Sequence, residues 1–220
     1  MGVFFFALLV PIFICSFVNR ASGDDIGYSI LTRNAWINSY SFIEVLKAAG
    51  QTVVNYYKSW QGTWFSIFLF SLQPELFHES VYVSVAFFML FIWMGSSFLL
   101  GKELLIKKLK LESWYANLVF LLFMIISISF IPSTKSSIFW YNGCAHYMIP
   151  FAMCQMVAYW LLKWTDTYEI SDFIKITLFT LLLGGANYQA TLLVLIITVY
   201  FIFLLFLLEK IGKYSCYSSS

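Results

Sequence analysis

Long apolar segments separated by short polar ones dominate the hydropathy pattern of the chain. Four segments approach the length of a membrane crossing: residues 3–18, 81–100, 114–131 and 147–162. A bilayer core about 30 Å thick requires about 20 apolar helical residues, so we predict that each of the four crosses a membrane once. A fifth segment, residues 173–208, would be roughly 54 Å long as one helix. Gly184-Gly185-Ala186-Asn187 lies inside it, so we predict two crossings there.

The first polar region, residues 20–80, is predicted to be an outer loop that contains two further helices. Residues 41–59 show a helical repeat of apolar side chains, and residues 41–44 (Ser-Phe-Ile-Glu) have the sequence of a capping box. The apolar positions are Phe42, Leu46, Ala49, Val53, Tyr56 and Trp60. An amphipathic helix of this kind lies in the membrane interface, although packing on the rest of the protein would produce the same pattern. Residues 62–73 are too short to cross and predict a re-entrant or interfacial helix ended by Pro74.

Composition agrees with an all-α, polytopic membrane protein that forms one domain over residues 1–220. Hydrophobic residues make up 61% of the chain and charged residues 11%, whereas soluble domains average about 25% charged residues. The lysines are denser in the segments that would face the cytoplasm if the N-terminus is cytoplasmic. We therefore expect a multi-pass cell-membrane protein with residues 81–208 forming five further spans and residues 209–220 a loose, polar cytoplasmic tail. No basic cluster is dense enough to indicate nucleic-acid binding.

Asp24 and Asp25 are an adjacent pair of acids directly after the first apolar segment. On the predicted outer face, a carboxylate can accept a proton from an attacking hydroxyl group or bind a divalent cation. Arg33 or Lys58 would neutralise a phosphate-like charge, and we select Arg33. The structural alternative is a polar loop in which an Asp caps a following turn. The identity of any metal is unknown from the sequence.

The second outer loop, residues 133–146, holds further candidate ligands for a sugar. Trp140, Tyr141 and Tyr147 can stack on sugar rings, Asn142 can form hydrogen bonds, and His146 can act as an acid or contact phosphate. An aromatic belt at the membrane surface, or an ordinary interfacial histidine, explains the same residues without a function.

Taken in order along the chain, these motifs resemble the GT-C superfamily of glycosyltransferases, whose first outer loop carries acids directly after the first transmembrane helix. The order Asp24-Asp25, then residues 57–64 (YKSWQGTW), then residues 139–143 (FWYNG) is more closely similar to an uncharacterised bacterial multi-spanning family. The resemblance implies transfer of a sugar from a polyprenyl-phosphate donor in the cell envelope.

By this resemblance, Asp24 and Asp25 supply the catalytic base or a divalent-cation site. The cleft for the sugar and lipid would be lined by Trp60, Trp140, Tyr141, Asn142 and His146, with Arg33 on the phosphate. GT-C enzymes usually have more than six spans. We therefore expect an N-terminal portion or a shortened relative, which would need a missing C-terminal region or a partner subunit to enclose the donor.

Two other classes of protein remain open. One is a small transporter or flippase component, with the Asp pair as an ion site and the Gly184-Gly185 break as a hinge. The other is a non-catalytic membrane subunit. A transporter normally carries ionisable residues at mid-membrane, whereas the predicted spans contain no acid, which favours chemistry at the membrane face.

Overall fold

The computed structural model describes the backbone of residues 1–217 and the side chains of residues 1–207, and this part of the chain contains helices and no β-strand. The α-helices are α1 (Gly2–Ser16), α2 (Asp24–Ser39), α3 (Phe42–Ser59), α4 (Trp64–Ser71), α5 (Ser84–Gly101), α6 (Ser113–Ser129), α7 (Tyr141–Gly143), α8 (Ile149–Thr167), α9 (Ile170–Gly184) and α10 (Tyr188–Tyr217). The all-α class is confirmed.

Five shorter helical segments connect these elements. Two are 3-10 helices that lead into α5, namely Pro74–Leu76 and Glu79–Val83. Three are π-helices, namely Lys102–Lys108, Lys135–Phe139 and Cys144–Met148. Trp140, whose backbone is extended, separates Lys135–Phe139 from α7. Helix α7 and Cys144–Met148 run without a break into α8, so the chain from Tyr141 to Thr167 is one helix that is irregular at first and then regular.

In the part of the chain that the structure describes, two continuous helical segments are long and apolar enough to cross a membrane. Glu79–Lys108 has 30 residues and Tyr188–Leu207 has 20, and an 18-residue window within each has a mean hydropathy of 2.1 and 2.9, respectively. Helices α1 and α6 are apolar but have only 15 and 17 residues. By length and composition, the structure therefore supports two spans directly.

Helix α5 is at the centre of the fold and contributes to two hydrophobic clusters. On one side, Ala86, Leu90 and Trp93 pack with α1 and α6, where Phe13 stacks on Phe87 with ring centres 5.0 Å apart. On the other side, Val85 and Met89 pack with residues of the irregular helix that precedes α8. A third cluster joins α4, α8, α9 and α10. Burial of these apolar faces holds the bundle together.

The predicted break in residues 173–208 is confirmed, and it also anchors helix α4. Helix α9 ends at Gly184, and α10 begins at Tyr188. The carbonyl oxygen of Gly185 accepts hydrogen bonds from the backbone amides of Phe65 and Ser66, at 2.7 and 3.3 Å. These amides belong to the first turn of α4 and have no partner inside that helix. The break therefore caps α4.

Helix α3 is confirmed, but its buried face differs from the prediction. The buried side chains are Val45, Ala49 and Thr52, whereas Phe42 and Trp60 are exposed. Helix α2, which had no counterpart in our prediction, packs against α3 and covers the edge of its apolar stripe. The predicted capping box is wrong, since the Ser41 side chain forms no capping hydrogen bond.

Residues 133–146 and the C-terminal tail differ from the loops that we predicted. Within the first segment, the amide of Trp140 donates to the carbonyl of Lys135 at 2.7 Å, and Asn19 donates to the carbonyl of Phe139 at 2.8 Å. These bonds satisfy backbone groups in largely buried surroundings, where an open loop would leave them unpaired. Helix α10 continues through Tyr217, because no proline interrupts its hydrogen-bond ladder; residues 218–220 lie outside the described residues.

The lysine-rich segments meet at the end of the bundle opposite to the start of α5. Lys108 pairs with Asp166 at 2.5 Å, and Lys163 and Lys175 contact the buried Asp172 at 2.9 and 3.0 Å. Three of the lysines that the hydropathy pattern assigned to the cytoplasmic side, Lys108, Lys163 and Lys175, therefore lie at one end of the bundle.

Gly185 offers a direct test of the packing at the break. A Cβ atom at this position would lie 2.2 Å from the Trp64 ring, whereas one at Gly184 would have no neighbour within 4 Å. We expect Gly185→Ala to lower the free energy of unfolding by about 1–3 kcal/mol through overpacking. Gly184→Ala, the matched control, should leave it unchanged or raise it slightly, since alanine favours helix. Unfolding in mixed micelles, followed by circular dichroism, measures both. Equal stability of the two variants would contradict this packing.

Candidate functional site

Asp24 and Asp25 are the first two residues of helix α2, and they have opposite environments. Asp24 is exposed, whereas Asp25 is 0% exposed. Successive residues on a helix point about 100° apart, so a helix packed on one side buries one of them and leaves the other free. Gly23, with a φ of 61°, forms the tight entry that places both acids at the helix start.

The Asp25 carboxylate connects three separate segments of the chain. One oxygen, Oδ2, accepts from the Tyr82 hydroxyl at 2.5 Å and from the backbone amide of Ser22 at 3.2 Å. The other, Oδ1, accepts from the backbone amide of Asn142 at 3.1 Å. The Tyr82 hydroxyl in turn accepts from the amide of Tyr141 at 2.9 Å. The entry to α5 and helix α7 are therefore fastened to the start of α2.

The Asn142 side chain adds to this network in the orientation that satisfies both of its partners. Its amide nitrogen then donates to Oδ1 of Asp25 at 3.2 Å, and its oxygen accepts from the Asp25 backbone amide at 3.3 Å. Burial raises the pKa of Asp25, the hydrogen bonds from Tyr82, Ser22 and Asn142 oppose that rise, and the charge of Asp24 adds to it. Both Asp25 oxygens are thus engaged with the protein.

Asp24 lines a cavity of about 130 Å³ at the end of the bundle opposite to the lysine cluster. The lining combines one carboxylate, two amide side chains, a histidine and several aromatic rings. Its residues are Asp24, Tyr28, Gln61, Phe70, Trp140, Asn142, Gly143, His146 and Tyr147. Aromatic faces together with carboxylate and amide groups suit a ligand that has both apolar ring faces and hydroxyl groups. Pockets for drug-sized ligands measure about 300–1,000 Å³, so a cavity of about 130 Å³ suits a ligand the size of one sugar ring.

His146 is held in this cavity by contacts to helix α4 and to the turn before α10. Its Nδ1 lies 3.0 Å from the hydroxyl of Ser66 in α4, and its ring packs against Phe70. Its backbone carbonyl accepts from the side chain of Asn187, whose oxygen caps α10 by accepting from the amide of Ala190 at 2.7 Å. Burial lowers the pKa of His146, so the ring is mainly neutral at pH 7.

Four of the predicted site residues line the same cavity: Asp24, Trp140, Asn142 and His146. Trp140 is further fixed by its indole N–H, which donates to the carbonyl of Ser22 at 3.2 Å. Residues 140–146 therefore lie beside the start of α2, although the two segments are more than 100 positions apart in the sequence.

The other predicted site residues lie elsewhere. Arg33 pairs with Glu75 at 3.6 Å, about 13 Å further along α2 than Asp24 and on the opposite side of that helix. Trp60 is 74% exposed at the end of α3 and does not line the cavity. Tyr141 is buried in the hydrophobic cluster beneath it, and Asp25 lies in the network described above.

Tyr28, Gln61, Phe70 and Gly143 line the cavity and were not predicted as site residues. Tyr28 follows Asp24 by one helical turn, so helical spacing would have found it once α2 was recognised. Gly143 permits the tight turn, because a Cβ atom there would lie 2.5 Å from the carbonyl oxygen of Ser136. Gln61 and Phe70 had no signal in the sequence, since their place depends on how α3 and α4 pack.

A cation at the Asp pair was an open possibility in the sequence. Within residues 1–207, no group of three or more His, Cys, Asp or Glu side chains is arranged to hold a metal ion. The oxygens of Asp25 already accept hydrogen bonds, so Asp24 is the carboxylate of the pair that remains free to bind a cation or a proton.

Comparison of the chain with protein-family models, with curated proteins and with solved structures finds no match.

The buried Asp25 should make stability depend on pH. A raised pKa means that the folded protein binds the proton more tightly than the unfolded chain does. Asp25→Asn has no titrating group at this position and serves as the reference. The free energy of unfolding of the unmodified protein minus that of Asp25→Asn should fall as the pH rises from 3.8, the ordinary pKa of an aspartate, through the raised pKa of Asp25. Above that pKa the difference should be constant.

Unfolding in mixed micelles from pH 3.5 to pH 8 measures this difference. Tyr82→Phe, which removes a donor to Asp25, should move the fall to higher pH. A difference that rises with pH would show instead that the folded state favours the charged carboxylate.

Proposed function

We propose that the protein is a membrane glycosyltransferase, which moves a sugar from a polyprenyl-phosphate donor to a hydroxyl acceptor at the outer membrane face. The observation that carries this proposal is the position of Asp24. It is a free carboxylate in a cavity with aromatic rings and amide side chains, at one end of an apolar bundle. The resemblance to GT-C enzymes adds the donor class.

In this proposal, Asp24 acts as a general base. Its carboxylate accepts the proton of the acceptor hydroxyl group as that oxygen attacks the anomeric carbon of the donor sugar. The bond between the anomeric carbon and the phosphate oxygen breaks, and the polyprenyl phosphate leaves with the electron pair. The sugar is thereby joined to the acceptor, and Asp24 later releases its proton to water.

The remaining residues have supporting roles in this proposal. The rings of Trp140, Tyr28 and Tyr147 provide faces for a sugar, and the amide of Gln61 provides hydrogen bonds. Asp25 is a positioning residue, because it fixes the start of α2 against Tyr82 and Asn142 rather than facing the cavity. The ion pair of Arg33 with Glu75 holds α2 against the Pro74–Leu76 segment, so we assign Arg33 no contact with the donor.

The membrane arrangement that we propose has six crossings and a cytoplasmic N-terminus. The spans are α1, α5, α6, α8, α9 and α10, with the α2–α3 hairpin and α4 in the outer interface. Helices α1 and α9 have 15 residues each, about 22 Å, and they would require local thinning of the bilayer. The clustering of Lys108, Lys163 and Lys175 at the end opposite to Asp24 supports this orientation.

The packing of the Gly184-Gly185 break argues against the transporter alternative. A hinge would need freedom at Gly185, whose carbonyl instead accepts two hydrogen bonds from α4 and whose α-carbon contacts the Trp64 ring.

Sugar transfer can be tested in proteoliposomes. The purified protein is incubated with a panel of radiolabelled polyprenyl-phosphate monosaccharides, and loss of labelled sugar from the organic phase is measured. We expect Asp24→Asn to lower the rate at least 100-fold, because it removes the base. Glu79→Gln changes an exposed acid at the same end of the bundle and should retain full activity.

Two results would contradict the proposal. One is full activity of Asp24→Asn, which would remove this carboxylate from the reaction. The other is no release from any donor above that of empty liposomes by a protein whose fold is verified by circular dichroism, which would favour the non-catalytic subunit.

A further inference from the structure

A second cavity, of about 210 Å³, lies at the lysine-rich end of the bundle. It is bounded by the end of α5 and the start of α6. Its polar lining groups are Lys102, Ser113 and Asn117, and its floor is formed by the rings of Phe98 and Phe120. Helix α5 separates it from the Asp24 cavity by 18 residues, or about 27 Å, so the two sites are independent.

Lys102 is the charged group of this cavity. Two neighbouring lysines are neutralised, since Lys107 pairs with Glu103 at 2.8 Å and Lys108 pairs with Asp166 at 2.5 Å. Among the described side chains, no carboxylate lies within ion-pair distance of Lys102. The cavity therefore presents a cation beside a hydroxyl and an amide, which together can hold a phosphate group.

The cavity continues into an apolar groove between α1, α5 and α6. Phe98 and Phe120 line both. The groove has a volume of about 530 Å³, and its other lining residues include Phe6, Phe13, Phe87 and Gly95. From Phe87 to Phe98 it follows α5 for about 16 Å, which matches the depth of one leaflet of a bilayer core about 30 Å thick.

We infer that the cavity and the groove together bind one anionic phospholipid of the cytoplasmic leaflet. The phosphate headgroup would lie against Lys102, Ser113 and Asn117, and an acyl chain would occupy the groove. The order of groups along α5, with a cation at the end and aromatic rings above it, follows the order of a phospholipid from headgroup to tail. Basic pockets on the cytoplasmic side of a helical bundle commonly bind anionic headgroups. This inference rests on the membrane orientation and not on the reaction at Asp24.

Native mass spectrometry tests the site. The protein is released from micelles doped with equal amounts of dioleoyl phosphatidylglycerol and dioleoyl phosphatidylcholine, and the lipids that stay bound are counted. We expect a preference for phosphatidylglycerol, and we expect Lys102→Gln to lower its retention about fivefold, as removal of one interfacial lysine should. Lys110→Gln, which changes an exposed lysine outside the cavity, should leave retention unchanged.

A second variant tests the groove separately. A Cβ atom at Gly95 would have open space around it, so Gly95→Leu fills the groove without disturbing the helix. It should lower retention of both lipids. Equal retention by Lys102→Gln and Lys110→Gln, or no preference for phosphatidylglycerol in the unmodified protein, would overturn the headgroup site. Unchanged retention in Gly95→Leu would overturn the acyl-chain site.

Discussion

A single buried carboxylate, that of Asp25, connects the parts of the protein on which the candidate site depends. It accepts hydrogen bonds from the α1–α2 turn at Ser22, from the entry to α5 at Tyr82 and from helix α7 at Asn142. These segments are far apart in sequence and pack in a mostly apolar protein. A buried carboxylate with unsatisfied oxygens would be costly, so the three donors must be present together. The geometry of the outer end of the bundle follows from that requirement.

The adjacent acids show how helix geometry divides two roles. Asp25 faces the protein, on the same buried side of α2 as Ser29 and Thr32. Thr32 donates to the carbonyl of Ser71 at 2.6 Å, and Gln73 donates to Ser29 at 3.1 Å. Polar contacts therefore hold this side of α2 against the end of α4 and the segment that follows it. Asp24, about 100° away around the helix, keeps its carboxylate free. The general base that we propose is therefore a free carboxylate at the start of a helix whose position is fixed by its buried side.

Helix α5 relates the two ends of the bundle to each other. The 3-10 helix that leads into α5 carries Tyr82, which donates to the Asp25 carboxylate next to Asp24. At the other end of α5, Phe98, Gly101 and the following Lys102 line the cavity at the lysine-rich end. The two cavities differ in charge, with a carboxylate in the first and a lysine in the second. In the membrane orientation that we propose, this difference places the carboxylate at the outer face and the lysine at the cytoplasmic face.

The apolar periodicity by itself determined the class of the protein and the existence of most helices. Helices α1, α3, α5, α6 and α8, and the break between α9 and α10, were all predicted from runs of apolar residues and from Gly184-Gly185. These features depend on the local spacing of apolar residues and glycines, which can be read from a short stretch of sequence without knowledge of its tertiary contacts. Asp24, Trp140, Asn142 and His146 were also selected correctly as neighbours, because the same side of the membrane was predicted for all four.

Only the tertiary structure decided which member of the Asp pair is free and which is buried, because that choice depends on the side from which α2 is covered. The same reason explains the failures. Arg33 was grouped with the acids, but its place on the far side of α2 brings it to Glu75. Residues 133–146 were predicted as a loop, yet most of this segment is helical and includes two π-helices. Helical hydrogen bonds satisfy backbone groups that packing against the rest of the protein removes from water. The packing of distant segments, such as that which places Gln61 and Phe70 around the same cavity as Asp24, leaves no periodic signal in a single sequence.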